Sequence, residues 1–406
     1  MKILCVFGKH NYGVKERGLS YEYSNFIPAF RNLGHDVVFF ESWDKSVYKD
    51  FRELNKEFLK TIDKEKPEIV LCVPMGCEIW SESLELARSG SNALFILWAT
   101  DDSWKYEQST RLIAPFFDVC ATTYSSALKK SIKDGFEHFV LTQWAANSTA
   151  MSPPLSASEC KYQVSFIGTA YGNRIKWVKE LQNKGIDVSC YGFGWPNGSV
   201  DADEIPRIMR ESKISLNFGD SGIIIKNFLP TRSRQIKARI FEVPGAGGFL
   251  MTESADELET FFSLGHEIIV FNNMEDLAAR IEYFISHDSE RDGIACAGYE
   301  RIQNEHTYEH RFDSIIKYAT QNIKKRTKSK HPINFQSFSE LALQHEINSI
   351  LKLFKFIILI PCIMIWGKSR GPRAARRIVY ELSWRLIGKR TYSVKGWPGR
   401  LFYNES

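Results

Sequence analysis

From residue 1 to about 150, short apolar runs rich in β-branched and aromatic residues alternate with amphipathic or polar stretches of helical length. This is the pattern of a parallel sheet covered on both faces. The runs predict strands over 2–7, 36–41, 68–73, 93–98, 119–123 and 138–142, with helices over 21–33, 47–64, 79–88 and 125–134. The first of these helices has Gly34 as its C-terminal stop. At MSPPLSAS, residues 151–158, both periods vanish among prolines and small polar residues, which predicts a linker and a domain boundary near residue 150. The alternation then restarts, with strands over 163–167, 187–191, 213–218, 248–252 and 267–271. Helices are predicted over 174–184, 203–211, 235–242, 255–262, 274–287, 289–303 and 307–325, and 219–234 reads as a polar loop. Two α/β units on one linker predict a cleft in which ligands meet the carboxyl ends of both sets of strands.

Charge changes this picture only beyond residue 323. The chain as a whole has a net charge of +5. Residues 348–406, however, hold twelve Lys and Arg against Glu381 and Glu405, a local +10, so the remaining 347 residues sum to −5. KKRTKSKH, residues 324–331, reads as a basic solvated linker. It leads to INSILKLFKFIILIPCIMIW, whose longest uncharged stretch runs from Phe356 to Trp366. Eleven helical residues reach about 16 Å against a hydrocarbon layer of about 30 Å, too short to span. The twenty from Ile347 to Trp366 could be stretched into a span if Lys352 and Lys355 snorkel, although Pro361 interrupts them and both flanks are basic. GPRAARRIVYELSWRLIGKR follows, with Ile378, Leu382 and Trp384 among Arg373, Arg376, Arg377, Arg385 and Lys389, as suits a helix lying on anionic lipid. The competing reading is an ordinary core helix packed on the body. The division is therefore an N-terminal domain over 1–150, a second domain over 160–323, and a basic membrane-surface tail over 324–406.

Composition excludes other classes. With 44% hydrophobic and 25% charged residues over 406 positions, the chain is neither disordered nor a small disulfide scaffold. Its eight cysteines form no C-x-x-C pair and no Cys/His cluster at zinc spacing, so they read as reduced thiols. The apolar run MKILCVF stops at Gly8, too short for a signal peptide. The expected location is cytoplasmic, peripheral on the inner face of the membrane.

Several loops carry residue types suited to chemistry. GKHNYG puts Gly8 and Gly13 at a strand end, where backbone N–H groups can approach a ligand. WATDDSWK puts Asp101 and Asp102 at another strand end, as helix caps or as a base or acceptor-hydroxyl ligand. SFIGTAYGNR places Gly168 and Gly172 before a helix opened by Arg174, a turn suited to a diphosphate or to simple capping. YGFGWPNG, with Gly192, resembles a second ligand-facing turn. Asp201 and Asp203 form a D-x-D read as N-capping, and no metal ligand is assigned. QIKARIFEVPGAGGFLMT is the strongest local feature. Lys237 and Arg239 can balance a diphosphate, Glu242 can hold ribose hydroxyls, and Gly245 and Gly247 lead into a buried strand.

On these residues the second domain, from YQVSFIGTAYGNR through QIKARIFEVPGAGGFLMTE to YERIQNEHTYEHR, resembles the glycosyl-transferase-group-1-like domain of bacterial surface-polysaccharide enzymes and CgeB-type spore-maturation proteins. GLSYEYSNFIPAFRNLGHDVVFFE and LWATDDSWK resemble its usual N-terminal partner, so the resemblance covers roughly residues 1–320. It implies the GT-B fold, two Rossmann-like domains facing across a cleft, the second holding the donor and the first the acceptor. It implies that Glu242 is the second glutamate of a paired motif, the one at the donor ribose. Arg234 stands where the first glutamate belongs. Arg174 falls at the family's phosphate-binding arginine, and Lys176 or Lys179 at its lysine.

The expected function is transfer of a sugar from a UDP- or GDP-linked donor to an acceptor hydroxyl, without a required cofactor and with retained anomeric configuration. Arg174, Lys237 and Arg239 would stabilise the departing diphosphate. An inverting reaction would need a base from Asp101, Asp102 or His10. The tail points to a lipid-linked glycan acceptor in surface polysaccharide assembly. A GT-B-like scaffold that binds without catalysing is the alternative. Nucleic-acid binding is disfavoured because Phe356 to Trp366 is too apolar for a solvated arm.

Overall fold

The computed structural model describes residues 1–226, 229–322 and 331–405. Most of the expected basic linker, residues 324–330, lies outside the described residues, as do residues 227 and 228 of the expected polar loop. The chain divides into two units, one of Met1–Gln143 with Asp313–Ser406 and one of Trp144–Phe312.

The first unit is built on strands β1 (Lys2–Phe7), β2 (Asp36–Glu41), β3 (Ile69–Cys72), β4 (Leu94–Ala99), β5 (Val119–Thr122) and β6 (Phe139–Leu141). They form a parallel sheet in the order β2-β1-β3-β4-β5-β6, with Ile3 opposite Ile69 and Val70 opposite Phe95. The central strands are buried on both faces, which is why they read as unbroken apolar runs. Helix starts are set by side chains. Ser20 accepts from the Tyr23 N–H, and Asp50 accepts from the N–H groups of Arg52 and Glu53, so the second helix opens at Phe51. The order reverses between β1 and β3, which separates the connections leaving their carboxyl ends.

The second unit repeats the plan with β7 (Tyr162–Ile167), β8 (Ser189–Tyr191), β9 (Ser212–Asn217), β10 (Asp220–Lys226), β11 (Leu229–Arg234), β12 (Leu250–Glu253) and β13 (Ile269–Phe271). Its parallel sheet runs β13-β12-β9-β7-β8, and the reversal falls between β7 and β9. Phe166, Leu181, Leu216, Phe249, Phe271 and Leu277 lie in its core. Three expectations differ here. The segment read as a polar loop forms the antiparallel pair β10 and β11. The helix expected over 235–242 begins at Arg239, because the Gln235 N–H still donates to the Gly219 carbonyl at the base of that pair. The helix expected over 255–262 is only the 3-10 turn Leu258–Thr260, entered through Glu257 in the left-handed region at φ 64°.

The largest difference lies beyond residue 323. Rather than forming a separate tail, residues 331–405 belong to the first unit. Ile333, Phe338, Tyr380, Tyr392 and Val394 are buried with Trp80, Leu84 and Phe117 in one core. The hydroxyls of Tyr380 and Tyr392 converge on the Gln108 carbonyl, and His345 packs against Trp80 and bonds the Val394 carbonyl. Burial against the first unit removes these side chains from water. A body cut at residue 326 would therefore lose part of its own core. Phe338→Ala should lower the stability of the first unit by about 3–5 kcal/mol, measured by urea unfolding followed through tryptophan fluorescence. An unchanged transition would contradict this assignment.

Candidate active site

In the second unit the chain leaves β7 through Gly168, at φ 154°. A Cβ there would lie 2.8 Å from a guanidinium nitrogen of Arg239, so the position needs glycine for space as well as for backbone angle. The Gly168 N–H donates to the Tyr191 carbonyl at 2.8 Å, and the Trp195 indole N–H donates to the Gly168 carbonyl at 2.7 Å. Gly192, at φ 125°, leaves no room for a Cβ, which would meet the Gly168 carbonyl oxygen at 2.6 Å. The turn 191–198 is thus a buttress that fixes the strand-end loop.

Around that loop two arginines converge. Arg174 is buried, donates to the Thr169 carbonyl at 2.9 Å and lies 4.1 Å from the Tyr171 ring centroid. Arg239, at the start of helix Arg239–Gly245, donates to Oδ1 of Asn217 at the end of β9, at 3.2 Å. Asn217 is itself held by its amide donating to the Thr252 hydroxyl. The two guanidinium groups stand 5.3 and 5.5 Å from the centroid of one ring, that of Phe166 in β7. Both therefore lie at the carboxyl ends of β7 and β9, the reversal point where ligands bind in open α/β sheets. Two cations beside a glycine loop are chemically suited to a doubly charged anion.

The other sequence-derived residues take different places. Glu242 follows Arg239 by three positions in the same short helix, so both share a face, and it is half-buried. Lys237 lies two residues before that helix and is also half-buried. Gly172, at φ 60°, is exposed in the turn before Arg174. Lys176 and Lys179 are exposed on the next helix, and Lys176 pairs with Glu180. Gly245 and Gly247 face the interior: Cβ atoms there would meet Ala146 and the Ser152 carbonyl, so these glycines pack helix Arg239–Gly245 on the incoming chain. Asp203 precedes helix Glu204–Arg210 without a side-chain capping bond. Among the described residues, no cluster of His, Cys, Asp or Glu could hold a metal ion.

Arg234, where the resemblance calls for a glutamate, pairs at 3.0 Å with Glu253, a fully buried carboxylate at the end of β12. The Gly219 N–H donates to the same carboxylate, and Arg234 also donates to the Ser254 hydroxyl. The pair closes the base of the β10–β11 hairpin. Glu253 was missed from sequence because it reads as the solvent-side end of a buried strand.

In the first unit Asp102 is buried and accepts from the hydroxyls of Thr110 and Thr122, tying the segment after β4 to β5. Burial pushes its carboxyl above the usual range. Asp101 is left-handed at φ 59° and stands 3.7 Å from Lys105. His10 lies in the loop after β1, half-buried and bridged through its backbone to Leu19. Gly8 and Gly13 are packed on Trp43. The sequence reading missed Glu22, in the first turn of helix Tyr21–Asn32. It is buried, and desolvation outweighs the help of Lys105 to push its carboxyl up to about 7, with Asp101 adding to the rise. A carboxyl poised there can exchange a proton near neutrality.

Residues 174–317 match the family described as glycosyl transferase-like. No curated protein matches the sequence. A glycosyltransferase from Rickettsia africae is similar in fold, at 15% identity over 79% of this chain and 99% of that one, with a TM-score of 0.53. Anabaena HepE in complex with UDP-glucose is similar at 10% identity over 79% of this chain and 99% of that one, with a TM-score of 0.52. TarM of S. aureus matches at 11% identity over 68% of this chain with a TM-score of 0.47, and the chain spans 59% of its length. These likenesses are of fold, and the fold is GT-B.

The Glu22 geometry has a consequence for stability. The unfolded chain ionises this carboxyl from about pH 4.5 and the folded chain only from about 7, so the native state holds the extra proton between them and loses stability as pH rises through that window. Glu22→Gln should therefore stabilise the protein by on the order of 3 kcal/mol at pH 8 and by almost nothing at pH 4. Denaturant unfolding at the two pH values measures this, and equal effects at both would contradict it.

Proposed function

We propose that this chain, a glycosyltransferase of the GT-B type, moves a sugar from a nucleotide-sugar donor held by its second unit to an acceptor hydroxyl. The observation that carries the reading is the convergence of Arg174 and Arg239 on Phe166 beside Gly168. In the reaction the bond from the anomeric carbon to the diphosphate oxygen breaks and a bond to the acceptor oxygen forms. The leaving diphosphate gains charge as it departs, and the acceptor hydroxyl gives up its proton. Arg174 and Arg239, with Lys237 nearby, would meet that developing charge with preorganised cations and so replace a metal ion. Glu242, on the face shared with Arg239, would accept from the ribose hydroxyls. The UDP-glucose bound by the HepE relative makes a UDP-linked sugar the first donor to test.

The acceptor side belongs to the first unit. Retention of configuration is the reading that the family resemblance supports. Inversion has a specific observation in its favour, since Glu22, with its raised carboxyl beside Asp101 and Lys105, has the properties of a base that could take the acceptor proton. The anomeric configuration of the product distinguishes the two. A lipid-linked glycan acceptor and a station on the cytoplasmic face of a membrane fit the basic, apolar C-terminal segment.

Each electrostatic contact made to the leaving group is worth about 3–4 kcal/mol in such sites. Arg239→Ala should therefore lower the rate of UDP release from a UDP-sugar by two to three powers of ten, roughly, with the fold retained by circular dichroism. Unchanged turnover in that variant would remove the diphosphate assignment. Nucleotide binding by the parent without any transfer or hydrolysis would favour a binding scaffold.

A further inference from the structure

The C-terminal helical segment Ser349–Ile387 is not one rod. It reverses at Gly367, whose φ of 76° and ψ of 171° are not helical, and Gly371 packs so closely on the backbone of Cys362 and Ile363 that a Cβ would lie 2.6 Å from the Ile363 Cα. The result is two helices, 349–366 and 368–387, lying side by side. The first packs Leu351, Phe354, Ile358 and Cys362 against Ala375, Val379 and the terminal residues Leu401 and Phe402. Its other side carries Ile350, Leu353, Ile357, Ile360 and Met364, which at 3.6 residues per turn fall within about 80° of arc. Every one of them is exposed, from 53% for Ile360 to 81% for Met364. The hydropathy of this stretch suffices for a membrane span, yet only 6% of the window is buried. A contiguous apolar stripe of this size on a folded surface marks an interaction face.

The occupant is decided by charge and by the reversal. Lys352 and Lys355 lie off the stripe, and beyond Trp366 the turn and second helix carry Lys368, Arg370, Arg373 and Arg377, all exposed. Among residues 368–390 the single carboxylate, Glu381, is shared by Arg377 and Arg385. An apolar stripe bordered by cations fits hydrocarbon below anionic headgroups, not a second apolar protein surface. Crossing the bilayer would carry Lys368 and Arg370 to its far side, while the second helix stays fixed to the body through Tyr380 at Gln108 and Arg376 against Gly76. We infer that this hairpin is an in-plane, single-leaflet anchor for an anionic bilayer: helix 349–366 sinks its exposed stripe among the acyl chains, and Lys368, Arg370, Arg373 and Arg377 rest at the phosphates. This deepens, and rests on, the membrane-surface reading above, and it fixes which face of the first unit meets the membrane.

The test uses the full chain with the partly buried Cys160 and the exposed Cys296 replaced by serine and one cysteine introduced at Ile357, Met364 or Lys368. Each variant is mixed with vesicles of equal parts phosphatidylcholine and phosphatidylglycerol, floated, and treated with a membrane-impermeant maleimide. All three should react in solution. On vesicles Ile357→Cys and Met364→Cys should lose at least about tenfold in labelling rate, while Lys368→Cys keeps its rate. Protection of Lys368→Cys until detergent is added would mean that the helix spans, and undiminished labelling of Ile357→Cys and Met364→Cys on floated protein would mean that the stripe does not face lipid. Either result overturns the in-plane anchor while leaving membrane attachment intact. A chain that does not float at all overturns both, and Ile357→Glu with Met364→Glu should produce that loss in an otherwise folded protein.

Discussion

Two guanidinium groups held against one phenyl ring are the feature on which the reading of this protein turns. Arg174 and Arg239 carry like charge, and bringing them together is unfavourable until something offsets it. The protein offsets it locally. Phe166 offers its ring to both, the Thr169 carbonyl and Asn217 accept from them, and Gly168 removes the side chain that would keep Arg239 away. These supports come from the ends of β7 and β9, adjacent in the sheet but distant in sequence, so the cation pair exists only when the whole second unit is folded. Its electrostatic potential is thus organised before any ligand arrives, the condition under which fixed charges stabilise a departing diphosphate best.

The first unit is organised by a different constraint, the need to bury apolar surface that the C-terminal segment cannot cover alone. Phe338, Tyr380 and Tyr392 become part of the α/β core, so the basic C-terminal segment is fixed in orientation on the first unit. The outer face of helix 349–366 stays uncovered.

Most strands were legible because central strands of parallel sheets are buried on both faces and so leave unbroken apolar runs, as in IVLC and VCAT. The β10–β11 hairpin was not, because its short Ile223–Ile225 run is set among Gly, Ser, Pro and Arg and reads as a loop. The helix expected over 255–262 had the right composition but is interrupted by left-handed Glu257. In the site, Arg174, Arg239 and Glu242 could be named from residue type and neighbouring glycines, but the approach of the two arginines to Phe166 depends on strand order, which no local pattern encodes. Gly245 and Gly247 looked the same in sequence as Gly168 and proved to be packing positions. Glu22 was invisible because its raised carboxyl comes from burial, with Lys105 and Asp101 brought near only by the fold. The tail was legible as basic and apolar, but its membership in the first core was not, since Ile333 and Phe338 are isolated apolar residues in a polar context.

The most direct measurement is a crystal structure of the full chain with UDP. The account predicts that the diphosphate oxygens accept hydrogen bonds from the guanidinium groups of both Arg174 and Arg239, with the ribose toward Glu242. A diphosphate bound elsewhere, or held without either arginine, would contradict it.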